Sequence, residues 1–239
     1  MKIQCIMQKI YKKLLHKRFE PAHVAEVGVY RPETSNVYDY IVLGVRCTLV
    51  EPDPDSVKLI RERFSKKDNV TLHPVAVYDF NGEVELVRRA ASTYVSELSN
   101  SPAIANNGYI LDVKDKFVVE AKTFDEIDDG TIDLLTVDVE GSEWFVIKHL
   151  VSRPFVISVE THGAIYVNLY LQKIMEWMKT NSYMLWYKDK SDSVFVKRGA
   201  LQVGMTDKIK LVFMDAYLRI RRARKKINQV IRSKFSVNG

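Results

Sequence analysis

Between residues 23 and 197, short apolar runs alternate with segments of helical period. "HVAEVGVY" and "VRCTLVEP" read as β-strands, and "ETSNVYDYIVLG" between them reads as a helix closed by Gly44. "DPDSVKLIRERFSKK" follows, with Val57, Ile60 and Phe64 spaced along one helix face. "NVTLHPVAVYDF" is a third strand, and Asn81-Gly82 is a hairpin signal leading into "EVELVRR". Residues 90–115 hold turn residues without a sustained period and read as a variable excursion. "KFVVEAKTF" is strand-like, and "DLLTVDVE" is a fourth core strand, apolar on both faces as an interior parallel strand must be. "SEWFVIKHL" is helical and "PFVISVE" is a fifth strand. The long helix "NLYLQKIMEWMKTN" then precedes "YMLWYKD" and "DSVFVKRG", an antiparallel pair around the turn "KSD".

This alternation specifies an α/β fold: a doubly wound, mostly parallel sheet with an antiparallel C-terminal hairpin. Ligands of such sheets sit outside the carboxyl ends of the strands, near the point where strand order reverses. Carboxylates gather at those ends. Glu26 ends the first strand two residues before Gly28, Glu51 ends the second, Asp138 and Glu140 end the fourth, and Glu160 ends the fifth with His162 beyond it. A single strand-terminal acid usually caps a helix. Four in register point to a functional crevice.

Composition narrows the setting. Two cysteines, Cys5 and Cys47, give no disulfide framework, and no apolar run is long enough to cross a bilayer. The first residues lack the apolar core of a secretory signal, so a reducing, cytoplasmic location is expected. The net charge of +6 is uneven: residues 1–20 hold +5 and residues 201–239 hold +8, leaving −7 for residues 21–200. We therefore divide the chain into a basic amphipathic N-terminal helix (1–20), a body (21–200) and a basic amphipathic C-terminal helix (201–239).

The segments "VAEVGVY", "LVEPDPDSVKLIRERF", "NVTLHPVAVYDFNGEVEL", "AKTFDEI", "IDLLTVDVEGSEWFVIKHL" and "FVISVETH", in this order, resemble the FkbM family of S-adenosylmethionine-dependent methyltransferases over roughly residues 24–197. The most specific piece is the D-V-E-G-x-E run from Asp138 to Glu143. The resemblance implies a class I methyltransferase (Rossmann-like) fold and transfer of a methyl group to a hydroxyl oxygen of a sugar, glycan or similar metabolite. It places Glu26 and Gly28 along the methionine and ribose side of the cofactor, Glu51 on the ribose hydroxyls and Asp138 facing the methyl group. Tyr30, Pro52 and Ala76 complete the implied cofactor-binding set. The first motif departs from the family's D-x-G-A-x-x-G, because "EVGVYRP" has Glu26 for Asp and Pro32 where the second glycine belongs. That departure motivates a competing reading, a catalytically inactive methyltransferase-like module that works through its basic arms. A dinucleotide site would need two more glycines.

An activated methyl group asks the protein mainly for alignment. Asp138, His162 and Glu160 are the candidate catalytic residues. His162 has a suitable unperturbed pKa, about 6.5, for a general base; its competing reading is a satisfied polar residue. Metal ligation by Asp138, Glu140 and Glu160 has no His or Cys spacing behind it, so no obligatory metal is expected. Tyr94, Ser96, Ser99 and Asn106 are candidates for an acceptor pocket.

The arms carry helical apolar stripes between basic residues: Ile3, Ile6, Met7, Ile10 and Leu14 at one end, and Phe213, Tyr217, Ile220, Ala223, Ile227 and Val230 at the other. Such stripes suit an anionic membrane surface, here the inner face, or packing on the body or a second subunit in a homo-oligomer. Nucleic acid is disfavoured, because the acidic body repels a phosphate backbone.

Overall fold

The computed structural model describes residues 7–89, 92–95, 115–163 and 166–236. Its centre is a seven-stranded sheet. β1 (His23–Val27), β2 (Arg46–Val50), β3 (Val70–His73), β8 (Leu134–Val137) and β9 (Val156–Glu160) run parallel, while β11 (Asp192–Lys197) lies antiparallel between β9 and the edge strand β10 (Tyr183–Lys188). The order β10-β11-β9-β8-β1-β2-β3 is the doubly wound, mostly parallel arrangement expected from the alternation.

Every residue of β1, β8 and β9 is buried, because helices cover both faces. Ala25, Val27, Leu135, Val137, Ile157 and Val159 face α4 (Glu143–Lys148) and α5 (Leu171–Thr180). Val24, Leu49, Leu134 and Val156 face α1 (Lys9–His16), α2 (Tyr38–Val42) and α3 (Pro54–Phe64). The second face turns polar towards its carboxyl end, where Glu26, Thr136 and Ser158 stand side by side in register.

Two stretches fold differently from their pattern. The third apolar run divides at Pro74, which has no N–H to extend a ladder; β3 stays in the main sheet and β4 (Ala76–Val77) joins a second sheet of order β4-β7-β5-β6. That sheet is completed by β5 (Gly82–Arg89), β6 (Ser92–Val95) and β7 (Lys116–Lys122). Asn81-Gly82 therefore does not close a hairpin, because β7 pairs with both β4 and β5 and lies between them. Asn81 Oδ1 instead accepts the Thr123 backbone N–H at 2.8 Å. The excursion over 90–115 contributes β6; Ser96, Ser99, Asn106 and the Tyr94 side chain lie outside the described residues. The helix expected after β1 is shorter, a 3-10 turn at Pro32–Thr34 followed by α2.

The arms part company. In α1 the stripe is a packing face: Leu14 is 0% and Ile10 5% exposed, and Lys13 Nζ lies 4.4 Å from the centroid of the Tyr187 ring. Burying two such side chains contributes about 1.5–3 kcal/mol each, which holds α1 on the body. Ile3 and Ile6 lie outside the described residues. In α6 (Met205–Ser236) the body side is anchored by Leu218 and by ion pairs at 2.7 Å from Lys17 to Asp207 and from Lys188 to Asp215, while Phe213, Tyr217, Ile220 and Ile227 are exposed. No described helix is long and apolar enough to cross a membrane.

Candidate functional site

Strand order reverses between β1 and β8, and the backbone there is pressed together. Gly28 has φ +86°, and a Cβ on it would stand 1.8 Å from the Asp138 carbonyl oxygen. Gly28 N–H donates to Val50 O and Asp138 N–H donates to Val27 O, both at 2.9 Å, so neither segment can retreat. Two non-glycine residues beside this contact, Tyr30 and Glu140, also have φ +53°. Left-handed backbone of this kind costs on the order of 1 kcal/mol per residue and concentrates at ligand sites.

Glu51 ties the first loop down. Its Oε2 accepts the Val29 and Tyr30 N–H groups at 3.0 and 2.8 Å, and its Oε1 accepts that of Asp53 at 2.9 Å. Three backbone donors on one buried carboxylate replace the glycine geometry that the "EVGVYRP" loop lacks. Pro32 opens the 3-10 turn that follows, where its missing N–H costs nothing.

These loops border a cavity of about 390 Å³, within the usual span for small-molecule sites, about 300–1,000 Å³. Glu26, Gly28, Tyr30, Glu51, Pro52, Ala76 and Asp138 all line it. The second sheet supplies an apolar wall through Val75, Val77 and Leu86, and the β10–β11 turn supplies Asp189, Ser191 and Asp192. The sequence reading reaches the second-sheet wall only at Ala76 and the turn wall not at all. The "KSD" turn was visible there, but only the antiparallel return of β11 beside β9 carries it over the crevice.

Crowded acids dominate the electrostatics. Burial pushes the Glu26 carboxyl up to about 7, against hydrogen bonds from Ser35 Oγ and the Asn36 N–H. Burial likewise pushes Glu143 to about 7 and Asp192 to about 6. Asp138 and Glu160 lie well above the ordinary carboxylate range, through burial first and then like charge: Glu140 is the foremost neighbour for Asp138, and Asp138 for Glu160. Asp138 is exposed where it opens onto the cavity, whereas Glu143 and Glu160 are buried. Glu160 sits behind the lining; its carboxylate and those of Asp138 and Glu143 bring oxygens within 4.8 Å of one another.

His162 takes the other of its two sequence readings. The ring is 5% exposed and does not line the cavity. Nε2 donates to the Asp189 carbonyl at 3.0 Å and Nδ1 meets Thr161 Oγ1 at 2.8 Å. The carbonyl can only accept, so Nε2 carries a proton, and burial lowers the ring's pKa. The expectation of a catalytic base is corrected to a structural one: the chain turns after β9, and His162 pairs back with Val167.

The set matches S-adenosylmethionine chemically: carboxylates for a cationic sulfonium and for hydroxyls, an apolar wall for a flat base, and a cradle that a single Cβ would fill. A family model described as the methyltransferase FkbM domain matches residues 25–185. No curated protein matches the chain by sequence. Among solved structures, a precorrin-6y methyltransferase from Geobacter metallireducens GS-15 is similar at 15% identity, covering 82% of this chain and 90% of its own, with TM-score 0.40. A methyltransferase of Podospora anserina bound to S-adenosylhomocysteine is similar at 12% identity over 79% and 76%, TM-score 0.40. TrmK of M. capricolum, in complex with the same cofactor product, is similar at 11% identity over 80% and 67%, TM-score 0.39.

Proposed function

The chain belongs to the FkbM methyltransferase family, with a Rossmann-like class I fold and S-adenosylmethionine as cofactor, and from that premise we propose that it methylates a hydroxyl oxygen of a sugar, glycan or similar metabolite. The observation that carries the proposal is the acid-lined crevice at the β1/β8 reversal, where Gly28 touches Asp138. S-adenosylmethionine supplies an activated methyl group on a cationic sulfur. Glu51 holds the loop that receives the ribose and offers its remaining lone pairs to the hydroxyls. Asp138, its pKa raised by burial and then by like charge, is the group that takes the acceptor's hydroxyl proton at its carboxylate. Transfer of radiolabel from the cofactor to hydroxylated acceptors tests the reading. Micromolar cofactor binding supports the enzyme; no binding at millimolar cofactor supports the inactive module.

Glu26 gives the site a pH dependence. Below about 7 the buried carboxyl holds its proton, and a cationic cofactor favours the charged form. Affinity should therefore tighten as pH rises and level off above neutrality, by about tenfold between roughly pH 6 and pH 8. The titratable groups that feel the charge of Glu26 include the Cys47 thiol, pushed by burial to about 12 and neutral throughout, and Asp138. Calorimetric titration of wild type and Glu26→Gln checks this. A slope that survives in the variant would assign the proton elsewhere.

We further propose that α6 rests on an anionic lipid surface at the inner membrane face. Its outward side presents Ile209, Val212, Phe213, Tyr217 and Ile220, more than half of each accessible to solvent. The helix's two acids, Asp207 and Asp215, are consumed by body lysines, which leaves the basic residues to set its charge. Each base near such a surface is worth about 1 kcal/mol. Sedimentation should take the intact protein down with anionic and not neutral vesicles, with release at high salt, and Phe213→Ser should weaken the attachment. Indifference to anionic vesicles, together with a change of oligomeric mass on removing residues 205–239, would assign the stripe to a second subunit.

A further inference from the structure

We infer that Asp138, Glu143 and Glu160 form a binding site for one hard divalent cation of the magnesium, manganese or calcium class. The three carboxylates come from separate elements: the residue after β8, the first turn of α4 and the end of β9. One oxygen from each lies within 4.8 Å of the other two. Ligands about 2.0–2.6 Å from a shared ion necessarily stand roughly 3–5 Å apart, so the spacing is that of a coordination shell.

A second observation points the same way. Glu160 Oε2 is buried and has no hydrogen-bond partner, an arrangement a folded chain avoids unless something else meets the oxygen. Among the described residues none of the three acids pairs with a lysine, arginine or histidine. Bare unit charges this close repel by several kcal/mol at a protein-like dielectric. The supporting groups are fixed as well: Glu143 Oε1 accepts the Val139 and Gly141 N–H groups at 3.2 and 3.0 Å, and Asn168 Nδ2 donates to Oε2. Asn168 is itself held by the Tyr170 N–H on its Oδ1 at 2.8 Å. Partners of this kind orient metal ligands without touching the metal. An oxygen-only donor set selects hard cations over zinc or copper.

Three carboxylates leave coordination positions open on the cavity side, because Asp138 lines the crevice. A cation there would bind an oxygen of the acceptor and turn it towards the site of transfer. This role rests on the methyl-transfer reading; the binding does not. The sequence reading weighed Asp138, Glu140 and Glu160 as ligands and expected no obligatory metal; in the fold Glu143, from the first turn of α4, stands in the cluster where Glu140 was weighed.

Manganese titrated into the full-length protein without cofactor, followed by electron paramagnetic resonance, tests the binding. One saturable equivalent is expected, weakened by about tenfold or more in Glu160→Gln and in Glu143→Gln, both of which keep side-chain shape. Thermal unfolding of the same variants checks that they are folded. No saturable manganese up to millimolar concentration, or undiminished binding in a folded Glu160→Gln protein, would overturn the inference. S-adenosylhomocysteine binding measured by calorimetry in chelator reports on the cofactor site separately, so the cation site can fail while the methyltransferase reading stands.

Discussion

Gly28→Ala is expected to abolish measurable cofactor binding and to lower stability by roughly 3–5 kcal/mol, a loss reserved for strain and overpacking at fixed backbone. The new methyl would stand 1.8 Å from the Asp138 carbonyl oxygen and 2.8 Å from its carbon. Both are main-chain atoms, so no rotamer change relieves the clash, and the hydrogen bonds from Gly28 to Val50 and from Asp138 to Val27 resist separation. The two segments that would move carry Glu26, Tyr30, Asp138 and Glu140, all of which line the crevice. Gly44→Ala is the matched control: φ is +84° there too, but nothing lies within 4 Å of the added carbon. It should cost about 1 kcal/mol, the backbone term alone. Urea unfolding and calorimetry on both variants separate close approach from backbone strain. A Gly28→Ala protein with wild-type melting and cofactor affinity would show that the approach is dispensable.

What the sequence made legible follows from where the deciding contacts lie. The runs that became β1, β8 and β9 are apolar on both faces because helices cover both, and strand ends are easy to place, so all seven expected cofactor residues meet at one cavity. Sheet membership is set by partners distant in sequence. "NVTLHPVAVYDF" reads as one strand, and only the demand that β4 pair with β7 shows why Pro74 divides it. The Asn81-Gly82 signal is local and was outweighed in the same way. His162 and Glu160 are two residues apart, yet β9 ends between them, so shared strand parity did not give a shared destination. The arms make the point in energetic terms. A helical stripe has the same pattern whether it packs on protein or on lipid, and only the neighbours distinguish Leu14, fully buried, from Phe213, 71% exposed.

Asp138→Asn should separate catalysis from stability. In most buried sites, loss of a charge exposes an unpaired partner and destabilises the fold. In the cation-free protein the acids around Asp138 include Glu140, Asp192, Glu143, Glu26 and Glu160, all of its own sign, and repulsion from such neighbours adds to the burial that raises its pKa. Neutralising it relieves that crowding without changing shape, so the melting temperature is expected to stay level or rise. Turnover should fall instead. On the proposed role, losing the group that receives the acceptor's proton costs about 10²–10⁴-fold in rate. The fall should appear in kcat more than in cofactor affinity, because Glu26, Glu51 and the Gly28 loop remain in place. Paired measurement of unfolding temperature and single-turnover rate decides the matter. An Asn variant that melts earlier while keeping its specific rate would mean that Asp138 serves the fold and that another carboxylate of the cluster receives the proton.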